Sequence, residues 1–288
     1  MLFKKGQALI QLARPSAAKI VSTGNLPKGC ETKRMERRSE EIGPQLLAVK
    51  APVNLGDALF PRLLAAVATG RQEQALRYHK RSDAVASLLA DLLTRFAAGV
   101  ALGIARDQMA FAATPHGKPI LAGHPDYHFN ISHSGSWIVL AQHPADVGVD
   151  VEMIRPVNLR IAKRHFSATE TADLLAQTTA ERPGYFFDLW TLKESYVKAI
   201  GTGLRIPLSS FTVRKTDSGI ALTRHDPQLP LYAFRQYDID PACRLSVCAA
   251  IDSFPPHARL VAFSELCAYH GIACAEPEKK SGITTPSQ

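Results

Sequence analysis

The chain is short of cysteine, of aromatic residues and of long apolar runs, and each shortage removes a class of protein. Its five cysteines, Cys30, Cys243, Cys248, Cys267 and Cys274, are an odd number with no Cys-x-x-Cys spacing. That is unlike a zinc ribbon or a disulfide framework, and it suits a reducing cytoplasm. No apolar run approaches the roughly 18–20 residues that span a bilayer, so no membrane association is expected. The first segment is basic, but its stretch GQALIQLA is short and polar-interrupted, a poor secretory signal. Aromatic residues make up 7% of the chain and do not interleave with Lys and Arg, as stacking platforms for nucleic acid require. No nucleic-acid partner is expected.

What is present points to a folded protein of two parts. The 288 residues suffice for two domains of about 120 residues each. Apolar residues are 46% and charged residues 21%, the balance of a globular protein. The net charge of +8 favours acidic partners, such as phosphorylated small molecules or an acidic protein surface. Residues 1–45 show no sustained period and read as a flexible basic extension. Residues 275–288 read as a disordered tail. Between them the pattern divides into 46–155 and 156–274, each running helices and then strands. The fold class expected is α/β (α+β).

In the first half, the rhythm of Leu88, Leu89, Leu92, Leu93, Phe96 and Val100 predicts helix over 71–104 with a cationic start, and Ser82 or Asp83 offers a cap for a helix start inside it. ATPHGKPIL, residues 113–121, is loop chemistry, and Lys118 sits between two rigid residues. In YHFNISHSGSWIVLAQH, Phe129 and Ile131 alternate with Asn130 and Ser132, a strand with two unlike faces. SHSGS turns the chain into a second strand. Ser132 and His133 are adjacent and point to opposite faces, so a catalytic dyad is excluded, and no nucleophile elbow is present. Next comes DVGVDVE. Val147, Val149 and Val151 share one face, and Gly148, Asp150 and Glu152 share the other. Two carboxylates on one strand face repel unless solvent or a cation intervenes, so this face is either exposed or a site for a hard divalent ion.

In the second half, Ser167 and Glu170 have capping-box spacing, with a helix break before them. WTLKESYVKAIGTG, residues 190–203, predicts a helix closed by Gly201. Tyr185, Leu189, Leu192 and Tyr196 form its apolar stripe. Glu194 and Lys198 stand one turn apart on a charged side. Alone, that pair is also what an ordinary surface ion pair looks like. Four strands and a last short strand and helix follow.

Four motifs lie in order: GKP at 117–119 with NISHSG at 130–135, VGVDVE at 147–152, HFSATE at 165–170 and WTLKESYVKAIGTG at 190–203. In this order and spacing they resemble the 4′-phosphopantetheinyl transferases, specifically the monomeric surfactin-synthetase-activating (Sfp) type, from about Arg71 to Glu265. The resemblance implies two similar α/β subdomains about a pseudo-two-fold axis, with coenzyme A in the cleft between them. It implies transfer of the 4′-phosphopantetheine arm from coenzyme A to a serine of an apo acyl or peptidyl carrier protein. It places magnesium, with manganese not distinguished, on Asp150, Glu152 and Glu194. It makes Glu194 the general base, sets Lys198 near the reacting phosphate and gives Glu170 an acidic active-site role. It assigns coenzyme A contacts to Ser132, His133, Lys118 and Pro119. Close relatives carry a first-helix arginine for the 3′-phosphate. An ungapped match places Ala86 there, with Arg71, Arg77, Lys80 and Arg81 as substitutes, of which Arg71 and Arg81 are taken as candidates. The competing classes are a coenzyme A-binding module without catalysis and a basic nucleic-acid binder.

Overall fold

The computed structural model describes residues 45–274. The expected extension, apart from Gln45, and the expected tail 275–288 lie outside the described residues.

Continuous apolar runs buried on both faces build β1 (Gln45–Lys50) and β5 (Trp137–His143) of the first sheet, joined by β4 (His128–Ser134) and with β11 (Arg259–Leu260) at its edge. The strand order is β11-β1-β5-β4, with β11 parallel to β1 and the other pairs antiparallel. The expected hairpin joins β4 and β5, and Gly135 takes the positive φ of its turn. One sheet face, carrying Leu47, Val49, Phe129, Ile138 and Leu140, packs under α3 (Arg81–Leu102). Two short helices, α1 (Leu59–Ala65) and α2 (Thr69–Leu76), lie beside it, and a small hairpin is formed by β2 (Phe111–Ala113) and β3 (Pro119–Leu121).

The helical stretch expected over 71–104 is two helices, α2 and α3, and the second begins at Arg81, next to the internal start offered by Ser82 or Asp83. The chain breaks at Lys80, whose backbone is extended at the start of α3. Residues 77–82 carry three cations, Arg77, Lys80 and Arg81, and no apolar stripe to bury, so nothing holds that turn in a continuous helix. By length and composition α3 would suit a membrane, but 72% of its most apolar stretch is buried inside the fold. It is a core helix.

The second sheet is β6 (Val147–Met153), β10 (Cys243–Ala249) and β9 (Ala233–Tyr237), all antiparallel. Val147, Val149 and Val151 point from β6 towards Leu46, Ala48, Val139 and Ala141 of the first sheet, so the two sheets share a core. The opposite face of β6 and β10 receives α6 (Arg182–Ile200), which begins with Pro183 near its start and ends at Gly201 in the left-handed conformation. Beyond α6 lie α4 (Leu159–His165), α5 (Ala168–Ala176) and the hairpin β7 (Phe211–Thr216)–β8 (Gly219–Arg224). The layers therefore run helix, sheet, sheet, helix, with α3 and α6 outside: two α/β halves facing each other.

The boundaries expected from sequence shift at two places. β6 was assigned to the half 46–155, yet its backbone pairs with β10, so the sheet boundary falls between β5 and β6. The end of 156–274 returns to the first half. There β11 covers the edge of β1, and α7 (Phe263–Tyr269) places Leu266 and Cys267 in the core under α3. An unpaired strand edge and an open apolar face are both costly, and the chain's last elements cover both.

Candidate active site

β6 and α6 make the site between them. At Gly148 the strand has no side chain, and the helix backbone comes against it: a Cβ there would lie 2.0 Å from Ser195 O and 2.4 Å from Ala199 N. This close approach sets Asp150 and Glu152, two and four residues on and on the same strand face, beside Glu194 and Lys198. Of the two readings open for this strand face, exposure does not hold: the face is a buried interface, with Asp150 only 3% exposed.

The helix is also more enclosed than its stripe suggests. Elements pack on both sides of it, so even Lys193 is fully buried. Lys198 turns from its neighbour on the helix towards the strand. Its Nζ donates to Asp150 Oδ1 at 2.6 Å, Ser132 Oγ at 3.0 Å and Val149 O at 3.2 Å. Ser132 Oγ in turn donates to Asp150 Oδ1 at 2.9 Å. Glu152 Oε2 accepts from Ser134 Oγ at 2.9 Å and from Arg155 at 3.2 Å. The Glu194 carboxylate forms no hydrogen bond among the described residues.

The electrostatics are those of crowded acids. Burial, then repulsion from Asp150, pushes the Glu194 carboxyl up to about 7, while Lys198 pulls it back and Glu152 adds to the rise. Burial raises Glu152 as well, with Asp150 adding to it. Asp150 is raised by burial and held down by Lys198 and Ser132. One lysine among three carboxylates leaves the cluster short of positive charge. Asp150 Oδ2 is buried and has no partner. A carboxylate oxygen in that state suits a cation. No three metal-ligating side chains stand close enough among the described residues to enclose an ion alone.

A cavity of about 370 Å³ lies at the junction of the halves, and the side chains of the acidic cluster are not among its lining. It straddles the halves, with His116, Lys118, Pro119 and Tyr127 on one side and Asp146, Ile200 and Gly201 on the other. Its size is that of a small-molecule site.

The pattern of the 4′-phosphopantetheinyl transferase superfamily matches residues 146–248, and that of the 4′-phosphopantetheinyl transferase N-terminal region matches residues 57–145. A 4′-phosphopantetheinyl transferase of Bacillus subtilis is 39% identical over 216 residues, which is 75% of this chain and 95% of that protein. The 4′-phosphopantetheinyl transferase Sfp of Bacillus subtilis (strain 168) is 37% identical over 206 residues, 71% of this chain and 92% of that protein. The chain belongs to the 4′-phosphopantetheinyl transferase family. Among solved structures, a holo-(acyl-carrier-protein) synthase from Bacillus anthracis in complex with CoA (3′,5′-ADP) is 16% identical, covering 36% of this chain and 93% of that one, with a TM-score of 0.30.

Within this transferase, Asp150, Glu152, Glu194, Lys198 and Ser132 stand together at the junction of β4, β6 and α6. The half-buried His133 is held below the usual imidazole range by burial and by Lys198, while Asp83 at the start of α3 pulls it back up. Arg81, in the same first turn, is at the surface with Asp57 at 3.0 Å.

Three of the expected site residues have partners within the fold. Lys118 donates to Ala199 O at 2.8 Å and Val147 O at 3.3 Å, closing the end of α6. Arg71 is 7% exposed and turned inward, with Gln74 at 2.6 Å and Asp91 at 3.6 Å. Glu170 is wholly buried and used up by the fold. One oxygen takes the Ser167 amide of the capping box at 2.7 Å, and the other takes Lys193 Nζ at 2.5 Å and the Val213 amide at 2.7 Å.

Lys193 is the residue that sequence reasoning passed over. Its Nζ also meets Phe211 O at 2.6 Å and lies over the Phe211 ring, so the Lys193–Glu170 pair pins α6 to α5 and β7. Burial pushes the Lys193 ammonium down to about 8, and Glu170 opposes this. Its one signal in the sequence is its place beside Glu194. Breaking a buried pair from one side leaves a bare charge and costs roughly 3–5 kcal/mol. Glu170→Ala is therefore expected to lose about that much stability in urea titration. The double variant Glu170→Ala, Lys193→Met, with no stranded charge, should recover part of it. Wild-type stability in Glu170→Ala would contradict the structural role.

Proposed function

We propose that this enzyme transfers the 4′-phosphopantetheine arm of coenzyme A to a serine hydroxyl of an apo acyl or peptidyl carrier protein, with magnesium at the Asp150–Glu152–Glu194 cluster. The observation that carries the reading is the buried, unpartnered Asp150 Oδ2 among three carboxylates and one lysine. It is supported by membership of the transferase family and by the cavity at the junction of the halves, lined by the loop at Pro119; the reading assigns the adenine end of coenzyme A to that loop.

Magnesium, when bound, neutralises charge that builds on the bridging oxygen of the pyrophosphate as it leaves. The protein supplies the rest. Asp150 and Glu152 hold the cation side of the site. Glu194, with its carboxyl near neutrality, takes the proton from the carrier serine as its oxygen bonds to phosphorus. The bond from that phosphorus to the bridging oxygen breaks, and adenosine 3′,5′-bisphosphate departs. Lys198 donates to the phosphoryl oxygens as their charge grows. His133, which forms no hydrogen bond with the described residues, is the candidate contact to a coenzyme A phosphate.

Intact-mass measurement of purified apo carrier proteins, incubated with coenzyme A, magnesium and enzyme, tests the reading. The expected result is a mass gain equal to the arm, abolished by chelation and absent from a carrier whose serine is replaced by Ala. No gain on any acyl or peptidyl carrier, with folded enzyme, would refute it.

A further inference from the structure

β4 and β6 lie at the edges of different sheets and are joined by side chains rather than a backbone ladder. Asn130 Oδ1 accepts from Val149 N at 2.9 Å, Ser132 Oγ from Val151 N at 3.4 Å and Ser134 Oγ from Met153 N at 3.1 Å. Both runs step by two residues, which is why one strand face serves one strand edge. A hydroxyl that accepts still has a proton to give. Ser132 gives its proton to Asp150 Oδ1 and Ser134 gives its proton to Glu152 Oε2, both at 2.9 Å. Each serine thus grips the amide of one residue and the carboxylate of the residue before it. Asn130 stands where that preceding residue is Gly148, so it has an amide to hold and no carboxylate.

The effect on the two acids is the same. Every hydrogen bond to Asp150 from Lys198 and Ser132 falls on Oδ1, and Oδ2 is left buried and unpartnered. The bonds to Glu152 from Ser134 and Arg155 both fall on Oε2. One oxygen is pinned and the other is left open on each carboxylate. Arg155 reaches Glu152 on a long side chain that is 41% exposed, whereas Ser134 is short and anchored on the Met153 amide.

We propose that Ser134 is a positioning residue, which fixes the Glu152 carboxylate so that its second oxygen faces the divalent ion. This rests on the metal reading above. Partners that hold a ligating carboxylate typically cost about 10–100-fold in metal affinity when removed.

The test is Mn²⁺ binding, read by electron paramagnetic resonance of the free ion, in enzyme with coenzyme A and no carrier protein. Circular dichroism and thermal melting report folding. Ser134→Ala is expected to weaken binding about 10–100-fold, and Ser134→Thr, which keeps the hydroxyl, to bind close to wild type. Asn130→Ala removes a rung of the same ladder that serves no carboxylate. It is expected to lower the melting temperature while binding Mn²⁺ within about threefold of wild type, well short of the loss expected at Ser134. Glu152→Gln is expected to weaken binding. If Glu152→Gln weakens binding and Ser134→Ala does not, the Ser134 role is overturned and the metal reading stands. Equal weakening in Asn130→Ala and Ser134→Ala overturns it too, because the effect then belongs to the ladder. Failure of folded Ser134→Thr to bind better than Ser134→Ala does the same. Wild-type binding in Glu152→Gln removes the metal reading, and the Ser134 role with it.

Discussion

Lys198→Ala is expected to lower turnover by roughly a hundredfold or more, and excess magnesium should not restore it. The ammonium stands 2.6 Å from Asp150 and is held by α6 rather than by a loop, so it is a fixed donor at the centre of the acidic cluster. A donor that acts mainly as charge builds on the phosphoryl group contributes to the rate and little to ground-state binding. Asp150→Ala makes the contrast. It removes one of several oxygens around a cation, and mass action can refill a weakened site, so its rate should partly recover as magnesium is raised. Glu194→Gln divides the two roles given to that residue. It should follow Lys198→Ala if Glu194 chiefly takes the serine proton, and Asp150→Ala if it chiefly holds the ion. The measurement is initial rate against magnesium concentration for the three variants, each shown to be folded by circular dichroism. Rates near wild type in both helix variants would mean that the pair does no chemistry.

Gly148→Ala should be at least as damaging, although the change is one methyl group. The new Cβ would meet Ser195 O at 2.0 Å, Ala199 N at 2.4 Å and Lys198 C at 2.9 Å. All three are backbone atoms of α6, so no side chain can swing away. The helix itself must move by an ångström or more, and it carries Glu194 and Lys198 with it. A displacement of about 1 Å at reacting groups costs on the order of a hundredfold in rate. The expected result is a loss of that size or greater, with lower thermal stability from overpacking of roughly 1–3 kcal/mol. Saturating magnesium or coenzyme A should not recover the rate, because the fault lies in the distance between strand and helix. Normal turnover would show that the contact between Gly148 and α6 does not set the site.

Much of this protein could be read from local pattern. The alternation in VGVDVE placed three valines on one face and Gly148, Asp150 and Glu152 on the other, and the strand keeps that division. Ser167 and Glu170 form the capping box that their spacing implied, at 2.7 and 3.2 Å. Gly201 ends α6 as expected. These features depend on the chain's own periodicity and on bonds between residues three or four apart, so neighbours in sequence suffice to fix them. The order of the four motifs likewise placed the chain in its family, because spacing is a property of the sequence itself.

Other features depended on what each element meets in space. Spacing and motif singled out Lys198 but said nothing of what Lys193 would meet: the first faces Asp150 and the second is buried against Glu170 and Phe211, because elements pack on both sides of α6. Glu170 satisfied two local rules, a cap and a family motif, and only the position of β7 shows that its remaining oxygen is taken by Lys193 and the Val213 amide. Arg71 and Lys118 looked free because charge alone does not reveal a partner such as Asp91 or a helix-end carbonyl. The halves were misdivided at β6 and at β11 because the pairing of a strand is chosen between distant residues, by which edge is open and which apolar face is bare. Sequence gave each strand its two faces, and the fold decided which neighbour each face would meet.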